Sequence, residues 1–456
     1  MIALVPIPYG SNWPLAWIIL QIAAFSLLAW HLLLTGFRQS VSHRPLSKNV
    51  IIVLSLLCAW LVYIGIQILP IPDAILRTLS QQTYNIYRHI DENLTGFYGH
   101  LSIDSYATRG ELLKNIAHIS LFYLTVSVVN SRFRVKILIY IMVIVGTAEA
   151  MVGLLGYFTG HEVISFAFMG NLNKDYTIGT FINRNHYANF MAIIVPLGAG
   201  LAFSDTHYIS SAINSKDKIV HFIDELFSHK SILTLLIIIM LSAIVLSESR
   251  GAVLSLFIAS ILVFLITKKN NKHGYWSRYK IPVYVSLIIA IVIAWNGIGG
   301  IKERFNAEDL VKDERLQLLS IEKPIFTDHY LLGTGAGSFE TSFLMHRDES
   351  LRPIVYDHAH NDYLETLIEL GIIGTLLLGA AIFMAMFYIY DCLRKTSSSF
   401  KKSILTGVLV SLFTMLIHAS LDFSFRIPAN AVYFYIVLAL GLTVSSTSMK
   451  RSYMDF

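Results

Sequence analysis

Apolar runs long enough to cross a bilayer recur along the whole chain, and no other feature constrains its fold as much. A spanning helix needs roughly 20 such residues. The runs are Trp13–Leu34, Val50–Leu69, Asn115–Val129, Ile137–Tyr157, His186–Phe203, Ser231–Ser247, Ala252–Thr267, Val283–Ile298, Leu364–Tyr390, Ile404–Phe423 and Ala429–Val444, about 11 in all. One water-soluble core cannot hide this much apolar surface. Of 456 residues 55% are hydrophobic and 14% charged, against about 25% charged in soluble domains. The expected fold is an all-α polytopic transmembrane helical bundle, one membrane domain over 1–456.

Charge gives the bundle a direction. Lys and Arg cluster in alternate connections: Arg38, Arg44 and Lys48; Arg132, Arg134 and Lys136; Lys216, Lys218 and Lys230; Lys268 to Lys280; Arg394 to Lys402; then Lys450 and Arg451. Basic loops stay cytoplasmic. This alternation accommodates every run and puts the N-terminus outside and the C-terminus inside. The net charge of +5 is explained by these loops, so no nucleic-acid partner is expected. The start of the chain, Met1–Gly10, has no Lys or Arg, so the first run reads as a retained span. Cys58 and Cys392 lie in or beside separate apolar runs and build neither a disulfide framework nor a metal site.

The remaining connections face outward. Residues 70–114 read as an interfacial segment with Ile75, Leu76, Leu79, Tyr84 and Tyr87 on its apolar face. Residues 299–363, about 60 in number, form the largest loop. Loops of that length are uncommon unless they do something.

Polar groups gather on this outer side. Arg250 sits in the turn Ser247-Glu248-Ser249-Arg250-Gly251 between two apolar runs. A guanidinium there binds phosphate in a fork; the plainer reading pairs it with Glu248 or with lipid headgroups. The long loop carries Lys302, Arg304 and Arg315, then Gly333-Thr334-Gly335-Ala336-Gly337, where backbone can approach a ligand closely. At its re-entry lies His358-Ala359-His360-Asn361-Asp362-Tyr363-Leu364-Glu365. A His can take a proton from a sugar hydroxyl; the plainer reading is a helix cap by Asn361 or Asp362. Two His at this spacing without a third ligand do not make a metal site. Arg184 and His186 stand at the mouth of another run, and His418, Asp422 and Arg426 at a third. Glu149 lies inside a span and needs a partner. Thus Arg184, Arg250, Arg304, Arg315, Arg352, Arg426 and His360 share the outer face. Outward Arg runs against positive-inside statistics, and a lipid-borne diphosphate is the natural anion at that depth.

These stretches resemble the O-antigen ligase and polymerase superfamily. The match is carried by His360-Asn361-x-Tyr363-Leu364-x4-Glu369-x-Gly371-x2-Gly374, with Ser249-Arg250-Gly251-Ala252, Arg315 through Pro324 to Gly333-x-Gly335-x-Gly337-x-Phe339, His418-x3-Asp422 and Gly179-Thr180-Phe181-x-Asn183-x-Asn185-x3-Asn189. The pieces keep the family's order and cover roughly residues 175–445. The resemblance implies a general C-type membrane glycosyltransferase of about 12 spans with both termini inside, one more span than the count made here. It implies a donor glycan on undecaprenyl diphosphate and metal-independent transfer with inversion, needing no cofactor. Arg250 and Arg315 would hold the diphosphate, with Arg304 beside them, and His360 would be the base. Arg184, His186 and Asp422 would support the site; Asn361 or Glu365 would orient the imidazole. The acceptor would be a glycan or lipid A core, at the periplasmic face of a bacterial inner membrane, among membrane lipids. A ligase is the expected activity. A repeat-unit polymerase shares the donor chemistry, and a polysaccharide or ion transporter is the reading from another class.

Overall fold

A computed structural model describes residues 1–7, 9–37, 45–90, 96–159, 176–204, 228–268, 314–347 and 356–447. Its long helices are α1 (Pro14–Phe37), α2 (Lys48–Gln67), α5 (Ser105–Val128), α6 (Arg132–Phe158), α7 (Arg184–Ala202), α8 (His229–Leu246), α9 (Arg250–Lys268), α12 (Asp362–Lys395), α13 (Ser399–His418) and α14 (Pro428–Ser446). Shorter elements between them are β1 (Ile71–Pro72), α3 (Asp73–Leu79), α4 (Gln81–Ile90), β2 (Tyr98–Gly99), α10 (Glu314–His329) and α11 (Phe339–His346). Among the described residues, eight helices (α1, α2, α6, α8, α9, α12, α13 and α14) are long and apolar enough to cross a membrane. The chain is an all-α, multi-pass membrane protein. Helices α5 and α7 are of spanning length too but carry polar side chains such as Glu111, Lys114, His186 and Asn189. Ten of the expected apolar runs are therefore helical; the run 283–298 lies outside the described residues.

Helix α14 is the axis of the bundle. Of its most apolar stretch 89% is buried inside the protein, against 11% for α1 at the rim. A helix apolar all round belongs at such a centre or against lipid. Helices α7 and α13 pack beside it, and their backbones approach closely. A Cβ on Gly200 would strike the Ser403 carbonyl, and one on Gly407 the Pro196 carbonyl. Small residues permit this contact where lipid offers no hydrophobic drive to association.

The helix ends sort by charge as the loops predict. Ser47 donates to Ser446 at 2.9 Å, Ser403 to the Phe203 carbonyl at 3.2 Å, and Arg132 lies 4.3 Å from the Phe400 ring centre. Those contacts gather the basic ends of α2, α6 and α13 together. The N-termini of α7, α9, α12 and α14 lie at the opposite end, where the candidate residues meet.

Two expectations change. The interfacial segment stops at Asp104, because Asp104 caps α5 by accepting from the Ala107 amide at 2.9 Å; residues 105–114 are the first turns of a long helix. Before it, α3, α4 and the β1–β2 pairing (Ile71 with Gly99, Pro72 with Tyr98) close round the buried Leu76. The glycine-rich stretch packs closely within the protein, against backbone at Gly333 and against the Ser102 and Glu111 side chains at Gly335 and Gly337. Helix α12 breaks at Gly371 (φ 61°, ψ −172°), and the loop 333–337 docks on the break. The Thr334 and Gly335 amides donate to the Ile368 and Glu369 carbonyls at 2.9 Å each. From α2, Gln67 Nε2 also donates to the Glu369 carbonyl at 3.1 Å, and Tyr63 Oη donates to the next one, Leu370, at 2.9 Å. A Cβ on Gly333 would fall on the Glu369 carbonyl, and one on Gly371 on the Leu331 carbonyl. Gly371→Ala should therefore lower stability by at least about 1–3 kcal/mol, the cost of the left-handed backbone alone. Thermal unfolding of the solubilised protein checks this, and an unchanged midpoint would contradict it.

Candidate active site

Four stretches converge at the end of the bundle away from the bases. Asn183 caps α7, its side chain accepting from the Asn185 amide at 2.8 Å, which fixes Arg184, Asn185 and His186 at the first turn. Ser249 precedes α9, and its hydroxyl donates to Asn185 Oδ1 at 2.9 Å. Asn185 Nδ2 in turn donates to Asp422 Oδ2 at 2.9 Å. Asp422 Oδ1 meets His360 Nδ1 at 3.3 Å. One hydrogen-bonded chain thus runs Ser249, Asn185, Asp422, His360, and Arg250 and Arg184 are each the immediate neighbour of a link. Asn430, in the first turn of α14, donates to the His186 carbonyl at 3.2 Å. Three helix N-termini, of α7, α9 and α14, are tied together this way, and each carries partial positive charge.

Asp422 is 1% exposed yet well provided for. It also accepts from the Phe423 amide at 3.0 Å, and His186 Nε2 stands 3.7 Å away, beyond hydrogen-bond range. Burial pushes its carboxyl up; the imidazoles of His186, His360 and His418 more than offset this and hold it well below the usual carboxylate range. An ionised Asp422 can only accept, so His360 Nδ1 carries the hydrogen it donates and the lone pair of the neutral imidazole sits on Nε2. The His360 side chain is 35% exposed, and its backbone is left-handed (φ 50°), an uncommon state for a residue with a side chain. Phe423 is the common wall: the rings of His358, His186 and His360 lie 4.5, 4.6 and 4.9 Å from it.

The other predicted side chains separate into distinct roles. Asn361 caps α12, accepting from the Tyr363 and Leu364 amides at 3.0 and 3.2 Å. Glu365 bonds His358 Nδ1 and the Ala359 amide, both at 2.9 Å. The carboxylate on His360 is accordingly Asp422, not Glu365, because Glu365 lies one turn into α12 and is saturated by other donors. Arg426 Nε approaches Glu365 at 2.9 Å and its Nη2 approaches Glu369 at 2.6 Å, with Glu111 at 3.8 Å. Those carboxylates occupy its guanidinium. Glu248 pairs with Arg184 at 3.1 Å rather than with Arg250; that pair is exposed and weak. Arg250 is exposed at the head of α9. Arg315 belongs to the first turn of α10, but its side chain, like Arg304 and Arg352 altogether, lies outside the described residues. Glu149 finds its partner in Thr180, whose amide and hydroxyl donate at 3.1 and 3.0 Å.

Asn185, Ser249 and Phe423 were missed as members of the site. Each is the chain neighbour of a residue that was singled out, and only the fold shows that these carry the links. Glu322 was missed as well. It is 1% exposed on α10 and its Oε1 has no partner. Burial, then the nearby Glu365 carboxylate, push its carboxyl up to about 8. Between the ordinary carboxylate value and about 8, the folded protein holds a proton that the unfolded chain has released. Stability therefore falls as pH rises through that window. Glu322→Gln should remove this loss, melting above the parent near pH 8 and level with it near pH 4.5; equal melting curves at both values would refute it.

No curated protein matches the chain significantly. A family model does: residues 235–379 match the one described as O-antigen ligase. The matched stretch contains Arg250, Arg315, the glycine-rich loop and His360, while Arg184, His186 and Asp422 lie on either side of it. Over that stretch, about a third of its length, the chain is similar to the O-antigen ligase family.

Proposed function

We propose that the protein transfers a glycan from undecaprenyl diphosphate to an acceptor hydroxyl, at the periplasmic face of a bacterial inner membrane. The observation that carries this reading is the Asp422–His360 pair, its imidazole partly exposed, joined by hydrogen bonds to Asn185 and Ser249, the chain neighbours of Arg184 and Arg250. His360 Nε2 takes the acceptor proton as the acceptor oxygen bonds to the anomeric carbon. The bond from that carbon to the diphosphate oxygen breaks, undecaprenyl diphosphate leaves with the electron pair, and the anomeric centre inverts. Asp422 stabilises the imidazolium that forms. Arg250, Arg184 and the α7 and α9 N-termini offset the charge growing on the diphosphate, as fixed donors do in a water-poor site; Arg315 and Arg304 belong to the same proposed set. Opening of the exposed Arg184–Glu248 pair would free a second guanidinium for the donor.

The acceptor is a glycan or lipid A core, and ligation is the reading preferred over repeat-unit polymerisation. The test is reconstitution in liposomes with lipid-linked glycan and candidate acceptors, followed by product analysis. Glycosylated acceptor together with free undecaprenyl diphosphate is the expected outcome; movement of intact lipid-linked glycan across the bilayer without transfer would replace the enzyme with a transporter. Arg250→Lys should lower the rate by about tenfold or more, since an ammonium cannot grip a diphosphate in a fork. A chelator of divalent ions should leave the rate unchanged, and full inhibition would restore a metal to the scheme.

A further inference from the structure

His360 owes its backbone conformation to its neighbours. A left-handed state is costly for a residue with a side chain and persists only where the surroundings over-determine it. The chain before His360 is held by α12. The Ala359 amide donates to Glu365 Oε2 and His358 Nδ1 bonds Glu365 Oε1, each at 2.9 Å. The chain after it is held by the turn that carries Asp422. There the Asp362 amide donates to the Ala419 carbonyl at 2.9 Å, and the Phe425 amide donates to Asp362 Oδ2 at 3.0 Å. Tyr363 Oη completes the grip by donating to the Leu416 carbonyl at 2.6 Å.

That last bond answers a need at a helix end. The final carbonyls of a helix have no donor within it. At the end of α13 the Ala419, Ser420 and Leu421 amides turn to the Met415, Ile417 and His418 carbonyls, and the Leu416 carbonyl is left to Tyr363. The first turn of α12 is thereby fixed against the last turn of α13, just ahead of Asp422. The fixing matters because His360 Nδ1 and Asp422 Oδ1 stand 3.3 Å apart, at the long end of the range for such a bond. A small slip of α12 along α13 opens it.

We propose that Tyr363 is a positioning residue for the base: its hydroxyl locks α12 to α13 and so keeps His360 on Asp422. This rests on the role of His360 given above. Glu365 shares the task from the other side but also holds Arg426 at 2.9 Å, so its loss disturbs the buried ion cluster as well. Tyr363 is the cleaner probe. It is 43% exposed, and Tyr363→Phe keeps the ring and removes only the O–H.

Transfer of a labelled undecaprenyl-diphosphate glycan in liposomes tests this, measured in single turnover and at steady state for the parent, Tyr363→Phe, His360→Ala and the double variant. Tyr363→Phe should lower kcat by about 10–10²-fold, the scale of a small misplacement at a reacting centre. Its KM for the donor and its elution as a folded protein should match the parent. With His360 gone there is no base left to misplace, so the double variant should be no more than about twofold slower than His360→Ala alone. A hydroxyl with a merely structural role would slow both backgrounds by the same factor, because independent effects add in free energy. Parental kcat in Tyr363→Phe, equal slowing in both backgrounds, or aggregation of Tyr363→Phe would each overturn the proposal while leaving His360 as the base. Parental transfer by His360→Ala would instead remove the base itself, and this role of Tyr363 with it.

Discussion

His360→Ala is expected to lower glycan transfer by about 10²–10⁴-fold, the usual contribution of a positioned general base, with membrane insertion and melting behaviour close to the parent. The side chain is partly exposed and makes a single bond to Asp422, so its removal opens no large cavity. Asp422→Asn tests the same pair from the other side. The amide has no negative charge to stabilise an imidazolium, and presents an N–H as readily as an oxygen to His360 Nδ1. The imidazole is then free to take the wrong tautomer, and the rate should fall by a similar order. Single-turnover transfer of a labelled donor, measured beside the thermal midpoint, separates lost chemistry from lost fold. Transfer by His360→Ala at the parental rate would remove it as the base and leave the Asp422 network a structural one.

Arg426→Ala should do most of its damage to the fold. The guanidinium is ringed by Glu365, Glu369 and Glu111. Burial alone would lower its pKa, and these carboxylates overcome that and raise it well above the ordinary value. Taking away one partner of a buried ion cluster leaves uncompensated charge and costs about 3–5 kcal/mol. The variant should elute as aggregate, or melt far below the parent, in detergent. Neutralising the partners as well, in Arg426→Met with Glu365→Gln and Glu369→Gln, should recover a substantial part of the loss. A normally folded Arg426→Ala that fails only to bind donor would instead make Arg426 a ligand of the diphosphate, as its outward position first implied.

Much of the architecture was legible beforehand because bilayer burial acts on composition, run by run. Spans at 14–36, 132–158 and 428–446 stand out for that reason. The polar helices α5 and α7 are harder to read, since Lys114 is paired with Glu111 one turn away and Asn185 is satisfied by Ser249 and Asp422, remote in sequence. The break at Gly371 lies within a continuous apolar run, and only the docking of Gly333 against it explains the residue. Helix α13 likewise stops at His418, short of the expected Phe423, because the chain turns there to bring Asp422 to His360.

The sequence by itself determined an all-helical bundle in lipid, the end at which its bases lie, and the collection of Arg and His at the opposite end. These follow from solvent preference, a property each residue carries alone. The tertiary structure decided which of those groups cooperate. It paired His360 with Asp422, gave Glu365 to His358, enclosed Arg426 among carboxylates, and left Arg250 exposed. Such choices depend on hydrogen-bond distances of about 3 Å between atoms far apart in the chain, and helix packing alone sets those distances.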